Sequence, residues 1–277
     1  MGGSGRAIDT GTELLLGQVR DGVATLTFNR PEARNALSDE LTPALRRMIA
    51  RLGNDPSVGA LVITGAGTAF CAGGDVKGMS SDPERERTWE RTAGEKVLEL
   101  QQRQRTLTGV LVRLPVPTIA ALPGPAAGAG LAIALACDIR FAAASAFVTT
   151  GYARIGLSGD YGINWLLTRL VGTAKARELM FTADRVDAET CLRIGLVNRV
   201  FEDESLRSET AAFAARLAAG PRRALALMKR NLERALDSDF PRALDEEAER
   251  LVRAAAEEDH REAIRAFIEK RPPRFGT

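Results

Sequence analysis

The chain reads as an α/β protein: a mainly parallel sheet with right-handed crossovers, followed by a helical C-terminal segment. Three observations predict this. Two buried-strand patterns, Ala60-Leu61-Val62-Ile63-Thr64 and Val116-Pro117-Thr118-Ile119-Ala120-Ala121-Leu122, each run into a glycine-rich turn. The second turn opens into Leu131-Ala132-Ile133-Ala134-Leu135-Ala136, a strong helix former, after which strand-length runs resume. Strand, helix and strand in alternation are what parallel crossovers require. From about Asn164 the pattern turns helical and stays so.

Taken in order, residues 1–11 are expected to form a flexible N-terminus, beginning Met1-Gly2-Gly3-Ser4-Gly5. Residues 14–20 and 23–28 read as two strands joined across Asp21-Gly22, a hairpin signal. Ser38 is placed to cap a helix running to about Arg51, with Glu40 in its first turn, and Asn54-Asp55-Pro56 breaks it. The strand to Thr64 and the first glycine stretch follow. Then comes a polar, charge-rich segment, 80–91, without apolar periodicity. Residues 92–113 read as one amphipathic helix with Val97, Leu100, Leu107, Val110 and Leu111 on its apolar side. The strand at 116–122 and a helix from about Gly128 precede shorter strand candidates at 139–143 and 146–149. Helical patterns cover 165–170, 174–181 and 188–194, and longer ones at 206–218, 221–236 and 241–270 close the chain. The expected organisation is a core over 12–205 and a helical segment over 206–277.

Composition narrows the function. The chain has 277 residues, enough for a large core, and 45% hydrophobic with 27% charged residues is an ordinary soluble profile. The net charge of +2 comes from 38 basic and 36 acidic residues interspersed along the chain, which argues against nucleic acid as a partner. No apolar run approaches the ~20 residues of a membrane span, and no hydrophobic signal core is visible. No membrane partner and a cytoplasmic location are therefore expected. Cys71, Cys137 and Cys191 have no paired spacing, so neither a disulfide framework nor a metal site is expected. The single histidine, His260, stands between Asp259 and Arg261 and reads as a surface residue, which leaves a histidine-based triad without support.

The candidate chemistry sits in two stretches, Ala69-Phe70-Cys71-Ala72-Gly73-Gly74-Asp75 and Gly124-Pro125-Ala126-Ala127-Gly128-Ala129-Gly130. A glycine-lined turn that opens a helix presents unpaired backbone N–H groups and the positive end of the helix dipole. Two such turns brought together could grip one developing negative charge from both sides, as an oxyanion hole does. Taken singly, either could be only a tight packing turn. Nucleotide readings fare worse. The run from Gly128 has isoleucine, Ile133, at the third glycine of a dinucleotide fingerprint. Thr150 stands where an acidic ribose ligand would fall, and no P-loop occurs.

Phe70-Cys71-Ala72-Gly73-Gly74-Asp75 resembles the phenylalanine-x-alanine-glycine-x-aspartate motif of the crotonase superfamily, the enoyl-CoA hydratase/isomerase family. The stretch from Ile119-Ala120-Ala121-Leu122-Pro123-Gly124 through Cys137-Asp138-Ile139 resembles its second motif, with fewer glycines. Asn29-Arg30-Pro31-Glu32-Ala33-Arg34-Asn35-Ala36-Leu37 is similar to its first acyl-CoA-contacting loop, and the likeness spans roughly residues 12 to 276. The resemblance implies the crotonase fold, repeated ββα turns forming a spiral core. It also implies that the C-terminal helices build a homotrimer or a dimer of trimers and help complete the site. The implied partner is an acyl-CoA thioester, with CoA part of the substrate rather than a cofactor, and no metal. Carried over by position, the oxyanion donors are the N–H groups of Gly74 and Ala129. Ala33, Arg34, Ala36, Leu37, Ala72, Asp75, Val76 and Lys77 would contact the CoA, backbone groups meeting the adenine. Lys77 and Lys270 would approach its phosphates, Lys270 from its own or a neighbouring subunit; solvated surface is the competing reading for both.

The chain also departs from the family pattern. Hydratases of the family place two glutamates over the acyl chain; here those positions fall at Ala132 and Tyr152. Neither is a carboxylate, so hydration by paired glutamates is unsupported. Asp160, however, matches the position of the acidic proton-transfer residue of dienoyl-CoA isomerases and of the nucleophilic aspartate of aryl-CoA dehalogenases. A lone carboxylate facing an enolate can take a proton at one carbon and return it at another. Its ordinary pKa of ~3.9 would need raising by an apolar pocket. The competing reading makes Asp160 a cap on the following helix. Tyr152 is expected among the substrate-binding residues, adding either a hydroxyl or an aromatic wall. Asp75 and Asp138 read as anchors of loop and strand ends, and Cys71 and Cys137 as packing residues. The reaction expected is enolate stabilisation with Asp160 moving a proton in double-bond isomerisation. The alternatives are an acyl-CoA binder without turnover and a hydratase using Asp160 in place of the glutamates.

Overall fold

Apolar runs of strand length sort into two sheets in a computed structural model that describes residues 5–75 and 92–276. The strands are β1 (Arg6–Ile8), β2 (Leu15–Arg20), β3 (Val23–Phe28), β4 (Ala60–Gly65), β5 (Thr118–Leu122), β6 (Ala126–Ala127), β7 (Ile139–Ala143), β8 (Phe147–Thr149), β9 (Val186–Asp187) and β10 (Arg199–Phe201). Among the described residues, the larger sheet has the order β1-β2-β3-β4-β5-β7-β10 and the smaller the order β6-β8-β9. The β1–β2 and β2–β3 pairings are antiparallel, and every later pairing of the large sheet is parallel. β4 and β5 are buried along almost their whole length, as parallel strands covered on both faces must be. The hairpin is present: Arg20 pairs with Val23 across Asp21 (φ 50°) and Gly22 (φ 74°), the two left-handed residues that a type I′ turn needs. Arg6–Ile8, expected within a flexible lead, instead pair with β2.

The helices are α1 (Leu41–Gly53), α2 (Ala93–Arg105), α3 (Thr108–Val112), α4 (Gly128–Ala136), α5 (Ile163–Thr182), α6 (Ala188–Arg193), α7 (Leu206–Ala218), α8 (Arg222–Ala235), α9 (Phe240–Ala255) and α10 (Glu258–Glu269). The Leu41 N–H donates to Ser38 Oγ at 3.1 Å, and α1 buries Leu41, Ala44, Leu45, Met48, Ile49 and Leu52 at helical spacing. The single helix expected over 92–113 is two. Thr106 ends α2, its hydroxyl donating back to Gln102 O at 2.7 Å, and Leu107 leaves helical geometry to bury its side chain. Val97 and Leu100 stay exposed, while Leu107 and Leu111 enter the core.

The α4 helix is apolar all round and buried from Ala129 to Ala136. Its faces meet α3, α5 and the sheets, so it forms the centre of the molecule. The two helical patterns at 165–170 and 174–181 belong to α5, interrupted at Gly172 (φ 77°, ψ 164°). α7, grouped by the sequence with the C-terminal helices, packs against β3, β4, β5 and β7. The long helix expected over 241–270 is α9 and α10, broken where Glu257 takes an extended conformation. Glu258 and Asp259 then occupy the first turn of α10, where negative charge favours a helix start. No described helix is long and apolar enough to cross a membrane.

Candidate active site

Backbone hydrogen bonds zip the two glycine-rich stretches together. The Phe70 and Cys71 N–H groups both donate to Pro125 O, at 3.0 and 3.2 Å, and the Ala127 N–H donates to Cys71 O at 2.9 Å. Small residues permit the approach. A Cβ on Gly124 would sit 2.0 Å from Thr68 O, and one on Gly130 would sit 2.5 Å from Cys71 O. Gly73 (φ 90°) lies against the start of α4, where a Cβ on it would be 3.6 Å from the Ala129 nitrogen. Ala129 is the second residue of α4, so its N–H has no partner within the helix and sits at the positive end of the dipole. On the other side, Leu37 bridges to Gly74: its N–H donates to Gly73 O at 2.8 Å and its carbonyl accepts from the Asp75 N–H at 3.1 Å. That pattern turns the N–H of Gly74 away from Leu37. Gly74 and Ala129 thus present backbone donors from two loops in contact.

The 33–37 loop is fastened to the first of these stretches. The Ala72 N–H donates to Arg34 O at 3.0 Å. Arg34 (φ 50°) and Asn35 (φ 57°) both take left-handed conformations, in which asparagine is among the more tolerant residues. The fully buried Asn35 amide donates to Ala66 O and Ala69 O and accepts from the Arg30 N–H, all within 2.9 Å. The Arg30 guanidinium pairs with Asp75 at 2.7 Å. Ala33, Arg34, Ala36, Leu37, Ala72 and Asp75 are therefore assembled along one edge of the site. Ala36 and Leu37 are buried, and Arg34 and Ala72 are exposed. Val76 and Lys77, and the 80–91 segment, lie outside the described residues. Lys270 is exposed at the C-terminal cap of α10, which packs against α9.

Asp160 sits against Tyr152. A 3-10 turn at Tyr152–Ile155, flanked by the left-handed Gly151 and Gly156, folds the tyrosine inward until it is 6% exposed. Its hydroxyl donates to Asp160 Oδ1 at 2.5 Å. The same hydroxyl would lie 3.9 Å from a Cβ on Gly128, at the mouth of α4. Burial raises the Asp160 carboxyl above the usual aspartate range, opposed by the bond from Tyr152. Burial, and then the charge of Asp160, push the Tyr152 phenol far above its ordinary range, so it stays a donor at neutral pH. Asp160 does not cap α5 with its side chain: the N-cap is Gly162, and Asp160 contributes its backbone carbonyl to Ile163.

The loop carrying Asp160 runs through Gly159 (φ 106°), Tyr161 (φ 50°) and Gly162 (φ 78°). A buried tyrosine in left-handed geometry is strained and must be held. The holder is Gln104 of α2, whose Oε1 accepts from the Tyr161 N–H at 2.6 Å. Sequence reading did not single out Gln104, Tyr161, Asn35 or the Arg30–Asp75 pair. Only Asn35 carried a local signal, as an asparagine in a tight loop.

Other residues fall where packing puts them. Ala132 is fully buried, and its methyl group can move no proton. Asp138 accepts from the Thr118 N–H and hydroxyl and pairs with Lys229 at 2.8 Å, anchoring strand and helix ends. Cys71, Cys137 and Cys191 are buried free thiols, each pushed up to about 12 by burial. Among the described residues, no group of three or more histidine, cysteine or acidic side chains could hold a metal.

Two glycine loops zipped around a buried helix start, with one half-buried acid nearby, form the candidate active site, and comparison with known proteins places it in an enzyme class. The chain belongs to the enoyl-CoA hydratase/isomerase family, whose model matches residues 18–277, and it has the crotonase fold. It is 35% identical over 263 residues to the 1,2-epoxyphenylacetyl-CoA isomerase of Escherichia coli, covering 95% of this chain and 98% of that one. It is also 35% identical over 250 residues to the short-chain-enoyl-CoA hydratase of Clostridium acetobutylicum, covering 90% and 92%. The crystal structure of an enoyl-CoA hydratase from Mycobacterium smegmatis superimposes with a TM-score of 0.84 at 34% identity, covering 96% of this chain and all of that one.

Proposed function

We propose that this enzyme binds an enoyl-CoA thioester, holds its carbonyl oxygen between the N–H groups of Gly74 and Ala129, and shifts its double bond with Asp160 carrying the proton. The observation that carries this reading is the placement of Asp160: half-buried, joined to Tyr152, whose hydroxyl abuts Gly128 where α4 opens. Ionised Asp160 takes a proton from a carbon conjugated to the thioester, and the electron pair delocalises to the carbonyl oxygen as an enolate. Two fixed donors stabilise that charge, each typically contributing about 3 kcal/mol to the transition state. Asp160 then returns a proton, exchangeable with solvent while it sits on the carboxyl, at the other end of the delocalised system. Burial suits Asp160 to this role, since a carboxyl with a raised pKa is a better base when ionised and returns the proton readily.

The isomerase named among the relatives supports this chemistry, and Ala132 in place of a second acid disfavours water addition. The 33–37 loop and the 72–77 stretch grip the CoA portion, which is substrate rather than cofactor. Exposed Met228, Leu232, Phe240, Leu251 and Phe267 on α8, α9 and α10 support association of subunits through these helices, and the family resemblance is the basis for a homotrimer or a dimer of trimers. Three buried free thiols support a reducing, cytoplasmic setting. The test is deuterium wash-in from solvent at the α- and γ-carbons of enoyl-CoA esters, read by mass spectrometry. Exchange that Asp160→Asn abolishes supports the proposal, and exchange unchanged in that variant refutes it.

A further inference from the structure

Asp160 has one side-chain partner among the described residues, the Tyr152 hydroxyl, and no ion-pair partner. Tyr152 spends an otherwise costly polar group to make that contact: its ring is buried against the entrance of α4, where a phenylalanine would pack equally well. The bond engages Oδ1 alone. Resting on the isomerase reading, we propose that Tyr152 is a positioning residue for the proton carrier: its hydroxyl fixes Oδ1 and presents Oδ2 as the oxygen that takes the substrate proton and gives it back. No atom of tyrosine is consumed. The proton leaves carbon for Oδ2 and the electron pair passes into the enolate; the enolate pair then takes a proton from Oδ2 at the far carbon, which leaves Asp160 ionised again with Tyr152 still donating to Oδ1.

The pairing has a second consequence. A donor facing the carboxylate stabilises its ionised form, so Tyr152 offsets part of what burial does to Asp160. Other groups around the pair are placed to act on Tyr161 instead: Arg103 of α2, Arg46 of α1, and Asp39 ahead of α1. Tyr161 itself adds a neutral phenol beside the pair.

The test is Tyr152→Phe, which keeps the ring and deletes the donor. The Asp160 carboxyl is titrated by carbon-13 NMR of aspartate-labelled protein, its signal assigned by its loss in Asp160→Asn. Losing a charge-assisted hydrogen bond to the carboxylate should raise the Asp160 pKa further. The acidic limb of the deuterium wash-in profile should move up by the same amount, with CoA-ester KM little changed. An Asp160 pKa that is unmoved or lower in Tyr152→Phe overturns the proposal, since a packing role predicts that result. Failure of the isomerase reading shows differently, as wild-type exchange indifferent to Asp160→Asn.

Discussion

Gly130 is where the second loop closes on the first, and adding one methyl there should part them. A Cβ at this position would lie 2.5 Å from Cys71 O and 2.7 Å from both Cys71 Cβ and Sγ. Favourable non-bonded carbon contacts lie at about 3.5–4.0 Å, so the two backbones must separate by roughly 1 Å. The nearest obstacle is a carbonyl whose bond to the Ala127 N–H holds the loops together, so no side-chain rotation relieves it. Overpacking of this kind costs about 1–3 kcal/mol of stability, which lowers Tm by roughly 2–4 °C per kcal/mol in a chain of this size. The catalytic loss should be larger, because a donor misplaced by about 1 Å costs on the order of 100-fold in rate. Gly130→Ala is therefore expected to fold with a modestly reduced Tm and to lose most of its deuterium wash-in. Gly109→Ala is the control. It lies in α3, and its Cβ would meet nothing closer than Gln104 O at 3.5 Å, so helix propensity should leave it neutral or stabilised by up to about 1 kcal/mol. Both are read by calorimetry and wash-in, and a Gly130→Ala enzyme as active as Gly109→Ala would refute the claim that loop contact sets the donors.

Three further outcomes are expected. Asp160 has a raised carboxyl pKa in the folded state, so its ionisation opposes folding above that pKa; Asp160→Asn should raise Tm at pH 7, an advantage that shrinks as pH falls toward the ordinary carboxyl value. Asn35→Ala removes three hydrogen bonds to the backbone, one buried and two part-buried, and should cost about 2–4 kcal/mol in urea unfolding, far more than a surface change. Glu246 is held down to about 2 by the guanidinium groups of Arg234 and Arg250, with Arg242 adding to them, so its contribution is full above the ordinary glutamate range and is lost as pH falls toward 2. Glu246→Gln should accordingly lower Tm at pH 7 and match wild type near pH 2, and should speed amide exchange where α8 meets α9.

The fold was legible where local chemistry and tertiary need agree. Asp21-Gly22 accepts the two positive φ values its turn requires, and the run after Gly128 is so uniformly apolar that only a buried helix fits. Misreadings came where periodicity continued through a break. Nothing in 92–113 is glycine or proline at the joint; the interruption comes from Thr106 bonding back and Leu107 turning into the core. Likewise 241–270 carries an unbroken amphipathic pattern, and only the acidic run from Glu257 to Asp259 marks a new helix start. At the site, the glycines and Asp160 stood out because each needs a special residue type. Gln104 and Arg30 did not, because their roles depend on partners 57 and 45 residues away.

These distances in sequence separate two parts of the site that are built differently. The donors proposed at Gly74 and Ala129 are backbone groups fixed by backbone bonds between loops, so side chains elsewhere on those loops can vary without disturbing them. That tolerance accounts for a second stretch poorer in glycine, whose required glycines are those facing carbonyls, Gly124 and Gly130. The acid, by contrast, hangs on a strained loop whose shape depends on one glutamine from α2 and whose carboxylate depends on one phenol. Gln104→Ala frees the Tyr161 N–H and should loosen Asp160 while leaving CoA-ester binding intact. Wash-in should then fall with KM unchanged. A matched fall in binding and exchange would mean that the two parts are not separable and that α2 supports both.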